Sequence, residues 1–252
     1  MVMPSNNTSA LVRQLGRLFP GRVGQLIGPG GWREPCEYLP YALDNGAFGA
    51  FTKKVEWQPR PFLDILERAK GSRQRPVWVA VPDVVANARA TRERWLEWAP
   101  RVRACGFPCA FVVQDGMNRE DVPLDADVVF VGGSVEWKWS TLPGWCAWFT
   151  RVHVGRVNSL RRLIDCEERG VESVDGTGWF RGDETQGREF VQYVAQTHKR
   201  QVSIFEPLPE PEDAELPGVV CDECGRSIPS VLPIVGTGEG LAVRMAMPGG
   251  EP

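Results

Sequence analysis

Six times along this chain a short apolar run ends in polar or glycine residues, and those endings hold the groups able to do chemistry. They are Leu43-Asp44-Asn45-Gly46-Ala47-Phe48, Val81-Pro82-Asp83, Val113-Gln114-Asp115-Gly116, Val131-Gly132-Gly133-Ser134, His153-Val154-Gly155-Arg156 and Val174-Asp175-Gly176-Thr177. A lone aspartate at a strand end is often a turn former or helix cap. Asp44 and Asp175 are too far apart in sequence for one local turn to explain both. Two facing carboxylates are the equipment for substitution at a glycosidic carbon through a covalent intermediate, one attacking and the other moving protons.

The elements that must position these groups follow from periodicity. Short β-branched runs alternate with longer segments of helical period, the pattern of repeated βα units around a parallel sheet. Eight strands are predicted: Val23 to Ile27, Tyr38 to Leu43, Val77 to Val81, Ala110 to Val113, Val128 to Val131, Arg151 to Val154, Val171 to Val174 and Val202 to Phe205. Helices are predicted at about Phe62 to Lys70, Asn87 to Ala104, Leu142 to Phe149, Asn158 to Arg169 and Gln186 to His198. Eight such units imply an α/β fold, a single (β/α)8 TIM barrel with its site at the C-terminal ends of the strands. After Phe205 the acidic, proline-rich stretch Glu206 to Asp213 ends the barrel. The expected division is a barrel domain over 1–206 and a peripheral tail over 207–252 that carries Cys221 and Cys224.

A formal net charge of −3 over 252 residues excludes chain-wide basic character, so any nucleic-acid contact must be local. Seven cysteines, an odd number, with no signal peptide, point to reduced thiols in a cytoplasm, the host's if the chain is phage-encoded. No apolar run reaches the roughly 18 to 20 residues that would cross a bilayer, so no membrane partner is expected. With two histidines, His153 and His198, a histidine-rich metal site is excluded. The ten tryptophans include Trp137 and Trp139 flanking Lys138 and serve either packing or base stacking.

The ordered endings resemble the tRNA-guanine transglycosylase superfamily, most closely its compact DNA-modifying 7-deazaguanine branch in bacteria and phages. Asp44-Asn45-Gly46-Ala47-Phe48 is similar to that family's Asp-Ser-Gly-Gly-Phe segment, and Gly132-Gly133-Ser134 to its Gly-Gly-Leu turn. Gly155-Arg156 stands where the family has a Gly-Val-Gly-Lys turn, Asp83 and Gln114 where it recognises a purine, and Asp175 where it has its nucleophile. The resemblance spans about Asp44 to Arg181 and rests on the order and spacing of weak motifs.

It implies that Asp175 attacks C1′ of a guanine nucleoside while Asp44 acts as general acid and then base, so that guanine is exchanged for a free 7-deazaguanine such as 7-cyano-7-deazaguanine. It further implies that Asp83 and Gln114 read the purine edge. Gly132 and Gly133 bring main-chain N–H groups close to it. Phe48 either stacks on the base or belongs to the core; His153 either lines the base pocket or is structural. Asp115 and Arg156 bind sugar or phosphate, or pair with each other. No cofactor is required for this chemistry. The tRNA enzymes have three cysteines and a histidine for structural zinc, whereas Cys221 and Cys224 are half a site, to be completed only by a residue such as His198 or Cys166. The short acidic chain favours DNA over tRNA as partner, with Trp137-Lys138-Trp139 and Arg181 as candidates to hold an unstacked strand. The alternatives are the same exchange on tRNA, a non-catalytic subunit of such an enzyme, and an unrelated barrel such as a sugar hydrolase. A homodimer or a helper protein is compatible with each.

Overall fold

The structure, a computed structural model, describes residues 1–180, 184–202, 219–220 and 227–228. Eight parallel strands form a (β/α)8 barrel: β1 (Val2–Pro4), β2 (Gln25–Ile27), β3 (Tyr41–Leu43), β4 (Val79–Ala80), β5 (Cys109–Val113), β6 (Val128–Val131), β7 (Val152–Val154) and β8 (Ser173–Gly176). Strands β2 to β8 pair in sequence order. The ring closes through β1, which pairs with β8 and bridges to the β2 side at Val2–Val23 and Ser5–Leu26. The helices are α1 (Ala10–Leu18), α2 (Ala47–Thr52), α3 (Pro59–Gly71), α4 (Ala88–Ala104), α5 (Val135–Trp148), α6 (Leu160–Glu168) and α7 (Glu184–Val202).

Seven of the eight barrel strands fall on segments expected to be strands; the eighth does not. The expected Val202 to Phe205 begins on the last residue of α7, and residues 203–205 lie outside the described residues. Its place belongs to β1, three residues ending in proline, too short to show any alternation. What makes Val2–Pro4 a strand is non-local: both neighbours supply the hydrogen bonds, and all three residues are buried. Two helices, α1 and α2, were also not expected. Helix α5 starts at Val135 rather than Leu142, because the Ser134 hydroxyl caps it by accepting from the Trp137 N–H.

Strand alternation sorts side chains into two layers. Val79, Val113, Val129, Val131, Val152, Val154 and Val174 point outward into the main core beneath the helices. Met3, Leu26, Ala42, Trp78, Ala80, Ala110, Val112 and Val128 fill the barrel interior, where the three alanines leave room for the Trp78 indole. Above that plug, the inward positions of β7 and β8 are polar: His153, Ser173 and Asp175 are all buried.

Residues Met1–His198 form one compact unit and Lys199–Pro252 a second. In the second, β9 (Val219–Val220) pairs antiparallel with β10 (Ser227–Ile228). Among the described residues no helix is long and apolar enough to cross a membrane.

Candidate active site

Asp175 is held by three donors, one from the turn after β1 and two from β7 and the turn that follows it. Its Oδ1 accepts from the Arg156 main-chain N–H at 3.2 Å and lies 3.4 Å from the Ser5 hydroxyl; its Oδ2 lies 3.1 Å from Nε2 of His153. An ionised carboxylate offers about four lone-pair sites and cannot donate. Three are engaged, leaving one for a reacting carbon. His153 is fully buried between Phe130 and Trp78, with ring centroids 4.4 and 4.6 Å away. Its Nδ1 is 2.8 Å from the Ser173 hydroxyl, and burial lowers its pKa, so the ring is neutral. With the Asp175 carboxyl as its acceptor, Nε2 carries the proton and Nδ1 accepts from Ser173. His153 therefore supports Asp175 from below. With no exposure, it contributes no surface to the mouth of the barrel.

Asp44 follows β3, and its main-chain N–H donates to the Ile27 carbonyl at 2.9 Å. Gly28 lies beside it, since a Cβ there would stand 3.6 Å from the Asp44 Oδ2. Burial, then the negative charges of Asp175 and Asp83, push its pKa up from 3.8 to about 7, against hydrogen bonds from the Gly46 and Asn45 main chain. The group thus exchanges its proton near neutrality, as a general acid that must later serve as base requires.

Asp83 and Gln114, after β4 and β5, are buried and joined: the Gln114 Nε2 donates to Asp83 Oδ2 at 2.7 Å, and the Asn45 Nδ2 donates to Oδ1 at 2.8 Å. The Ala86 N–H donates to Gln114 Oε1 at 3.0 Å, which fixes the amide orientation. Burial raises the Asp83 pKa to about 6, opposed mainly by the Asn45 hydrogen bond. The Asp83 carboxylate keeps lone pairs, and the Gln114 amide a second N–H, for a ligand with adjacent donors and an acceptor. Gly132 continues this wall: a Cβ on it would lie 3.6 Å from Gln114 Nε2 and 3.1 Å from the Val113 carbonyl.

Gly133 has φ +70°, and a Cβ there would come within 2.6 Å of both Asp115 Oδ2 and the Trp137 ring. Asp115 accepts from the Ser134 N–H at 2.7 Å and from its hydroxyl. Arg156 donates to the Gly133 carbonyl and lays its guanidinium over the Phe48 ring, 4.5 Å from the centroid. The expected alternative of an Asp115–Arg156 pair is not what forms; each is engaged elsewhere. Phe48 is 40% exposed and so belongs to the mouth, not the core. Position 155 requires glycine, because a Cβ there would meet the Phe130 ring at 2.6 Å.

The structure thus gathers Asp44, Asp83, Gln114, Gly132, Gly133, Phe48, Gly155, Arg156 and Asp175 at the C-terminal mouth, with His153 beneath. Cys221, Cys224 and Arg181 lie outside the described residues. Cys166, a candidate zinc partner, is buried on the core-facing side of α6. Among the described residues no group of three or more His, Cys, Asp or Glu could hold a metal ion. Of the candidates to hold an unstacked strand, Trp137 and Trp139 are half-buried and Lys138 is buried. Sequence reasoning passed over Ser5, Asn45 and Ser173 as site residues, and gave Lys138 a place on a strand-holding surface rather than behind the site. The Ser-Val-Asp alternation of 173–175 was the one available signal, since it puts Ser173 and Asp175 on one face. The sequence matches no model of a known protein family and no curated protein.

Proposed function

We propose that this barrel is a base-exchange transglycosylase that replaces guanine in DNA with a 7-deazaguanine. The observation that carries the reading is the pairing of a carboxylate held by three donors, Asp175, with a second, Asp44, whose pKa is pushed up to about 7 by burial and by the charge of the first. The buried Asp83–Gln114 pair beside them supports a purine as the base. Its free acceptors and donor complement N1–H, N2–H and O6 of guanine.

In this mechanism an Asp175 oxygen forms a bond to C1′ as the C1′–N9 bond breaks, and the bonding electrons leave with guanine. Protonated Asp44 gives the departing base its proton. The product is a glycosyl ester of Asp175. An incoming 7-deazaguanine loses its N9 proton to Asp44 and attacks C1′, releasing the Asp175 carboxylate. Two inversions retain configuration. The base must displace the Arg156 guanidinium from the face of Phe48, on which it then stacks.

DNA is preferred because α2, which begins three residues after Asp44, carries exposed Phe48 and Phe51 and leads into exposed Lys53 and Lys54. An aromatic ridge with cations at its end suits a strand whose target nucleotide is unstacked, a step costing a few kcal/mol. The test is incorporation of radiolabelled guanine and of 7-cyano-7-deazaguanine into duplex DNA, single-stranded DNA and tRNA in parallel. Label in DNA alone is expected. Label in tRNA alone would overturn the choice of polymer, and none in any would overturn the reaction.

A further inference from the structure

The peptide joining Gly155 to Arg156 is gripped at both ends. Its carbonyl accepts from Nζ of Lys138, and its N–H donates to Asp175 Oδ1 at 3.2 Å. In a trans peptide these two groups point in opposite directions. One cation and one carboxylate therefore clamp a single plane.

The clamp works against the backbone. Arg156 has φ +59°, the left-handed region disfavoured for any residue with a Cβ. Rotating the peptide by half a turn would carry φ to roughly −120°, inside the broad allowed β region. It would also turn the Gly155 carbonyl oxygen toward the Asp175 carboxylate. Local sterics thus favour one orientation and the candidate nucleophile the other, and outliers of this kind persist only where their surroundings over-determine them.

Lys138 supplies that determination. It is only 1% exposed, on the first turns of α5, and its one side-chain hydrogen-bond acceptor among the described residues is Gly155 O. Lysine is almost never fully buried without a specific partner. Burial, then the positive charge of Arg156, lowers its pKa to about 8, while Asp175 raises it. At neutral pH the ammonium is still mostly charged. Its Nζ also lies 5.6 Å from the centroid of the Trp139 ring.

We propose that Lys138 is a positioning residue: its ammonium holds the 155–156 peptide in the orientation that delivers the Arg156 N–H to Asp175. Calling Asp175 the nucleophile rests on the base-exchange reading; the hold on the peptide does not. Lys138 acts through that peptide and touches no reacting atom.

The test has a spectroscopic and a kinetic arm. The sequence has five Gly-Arg pairs, at 16–17, 21–22, 155–156, 187–188 and 225–226, so carbonyl-13C glycine with 15N arginine gives a carbonyl-to-amide spectrum of five correlations. The 155–156 signal is identified by its loss in Arg156→Lys. Its amide proton, downfield because it donates to a carboxylate, is expected to move upfield in Lys138→Met while the others stay. Guanine-exchange kcat is expected to fall about ten- to a hundredfold with KM changed little. Glycine tolerates φ +59°, so Lys138→Met should cost less in an Arg156→Gly background, a non-additivity that lost packing alone would not produce. Lys138→Gln, neutral but polar, serves if the apolar variant does not fold. An unmoved 155–156 amide in a folded variant, or losses that simply multiply, would overturn the proposal. A wild-type protein that exchanges no base overturns the reaction instead, and the amide arm then decides the positioning alone.

Discussion

Replacing Asp44 by asparagine should stabilise the barrel, and by an amount that depends on pH in a defined way. Folding raises the Asp44 pKa from 3.8 to about 7, so the folded chain holds a proton that the unfolded chain has lost. Stability therefore falls as pH rises from about 4 to 7 and is level above that. Three powers of ten in proton affinity correspond to about 4 kcal/mol at most. Asp44 is half-buried, and solvent screening reduces this to about 2 kcal/mol. Asparagine keeps an oxygen for the main-chain N–H groups and has no charge to bury beside Asp175 and Asp83. For a chain of this size that is a rise in Tm of about 4–8 °C at pH 8. Thermal melts of both proteins by circular dichroism from pH 4 to 8 should show curves together at the acid end and parted above pH 7. A constant gap, or a wild type more stable at pH 8, would refute the claim that Asp44 is an acid strained toward neutrality.

Other perturbations probe the neighbouring parts. Asp175→Asn keeps the shape and most hydrogen bonds but removes the anion; exchange should fall by about 10⁴ or more with Tm within a few degrees, and near-normal turnover would end its assignment as nucleophile. His153→Leu leaves Ser173 Oγ and Asp175 Oδ2 short of a partner, costing about 1–3 kcal/mol in a denaturant titration. The lowered His153 pKa has the opposite sign to that of Asp44: stability contributed by the neutral ring is lost as pH falls through about 6.5, a slope best read in the Asp44→Asn background and absent when His153 is also replaced. Gly155→Ala drives a methyl into the Phe130 ring and toward Asp175, so about 1–3 kcal/mol of stability should go and kcat should drop more than KM rises. Removing both Lys53 and Lys54 should flatten the salt dependence of DNA binding by about 1.4–1.8 in logarithmic slope, measured by fluorescence anisotropy across salt; an unchanged slope would move the strand off α2.

What the sequence by itself determined is whatever repeats locally. The alternation of β-branched runs with helical segments from β2 to β8 is written in windows of a few residues, and with it comes the rule that puts Asp44, Asp83, Gln114, Gly132 and Asp175 at one mouth. Strand ends marked by Asp-Asn-Gly or Gly-Gly are equally local, because turn geometry selects those residues one position at a time. Tertiary structure alone decided the rest. Three residues at the start of the chain became the eighth strand because β8 and the β2 side were there to pair with them. That closure brings Ser5 within reach of Asp175, 170 residues away. His153 and Lys138 read the same in sequence whether they face a ligand, solvent or the core. Only packing showed one beneath Asp175 and the other behind a strained peptide. Hydrogen-bond partners are chosen by proximity in space, and a closed barrel sets that proximity between strands whose sequences carry no mark of each other.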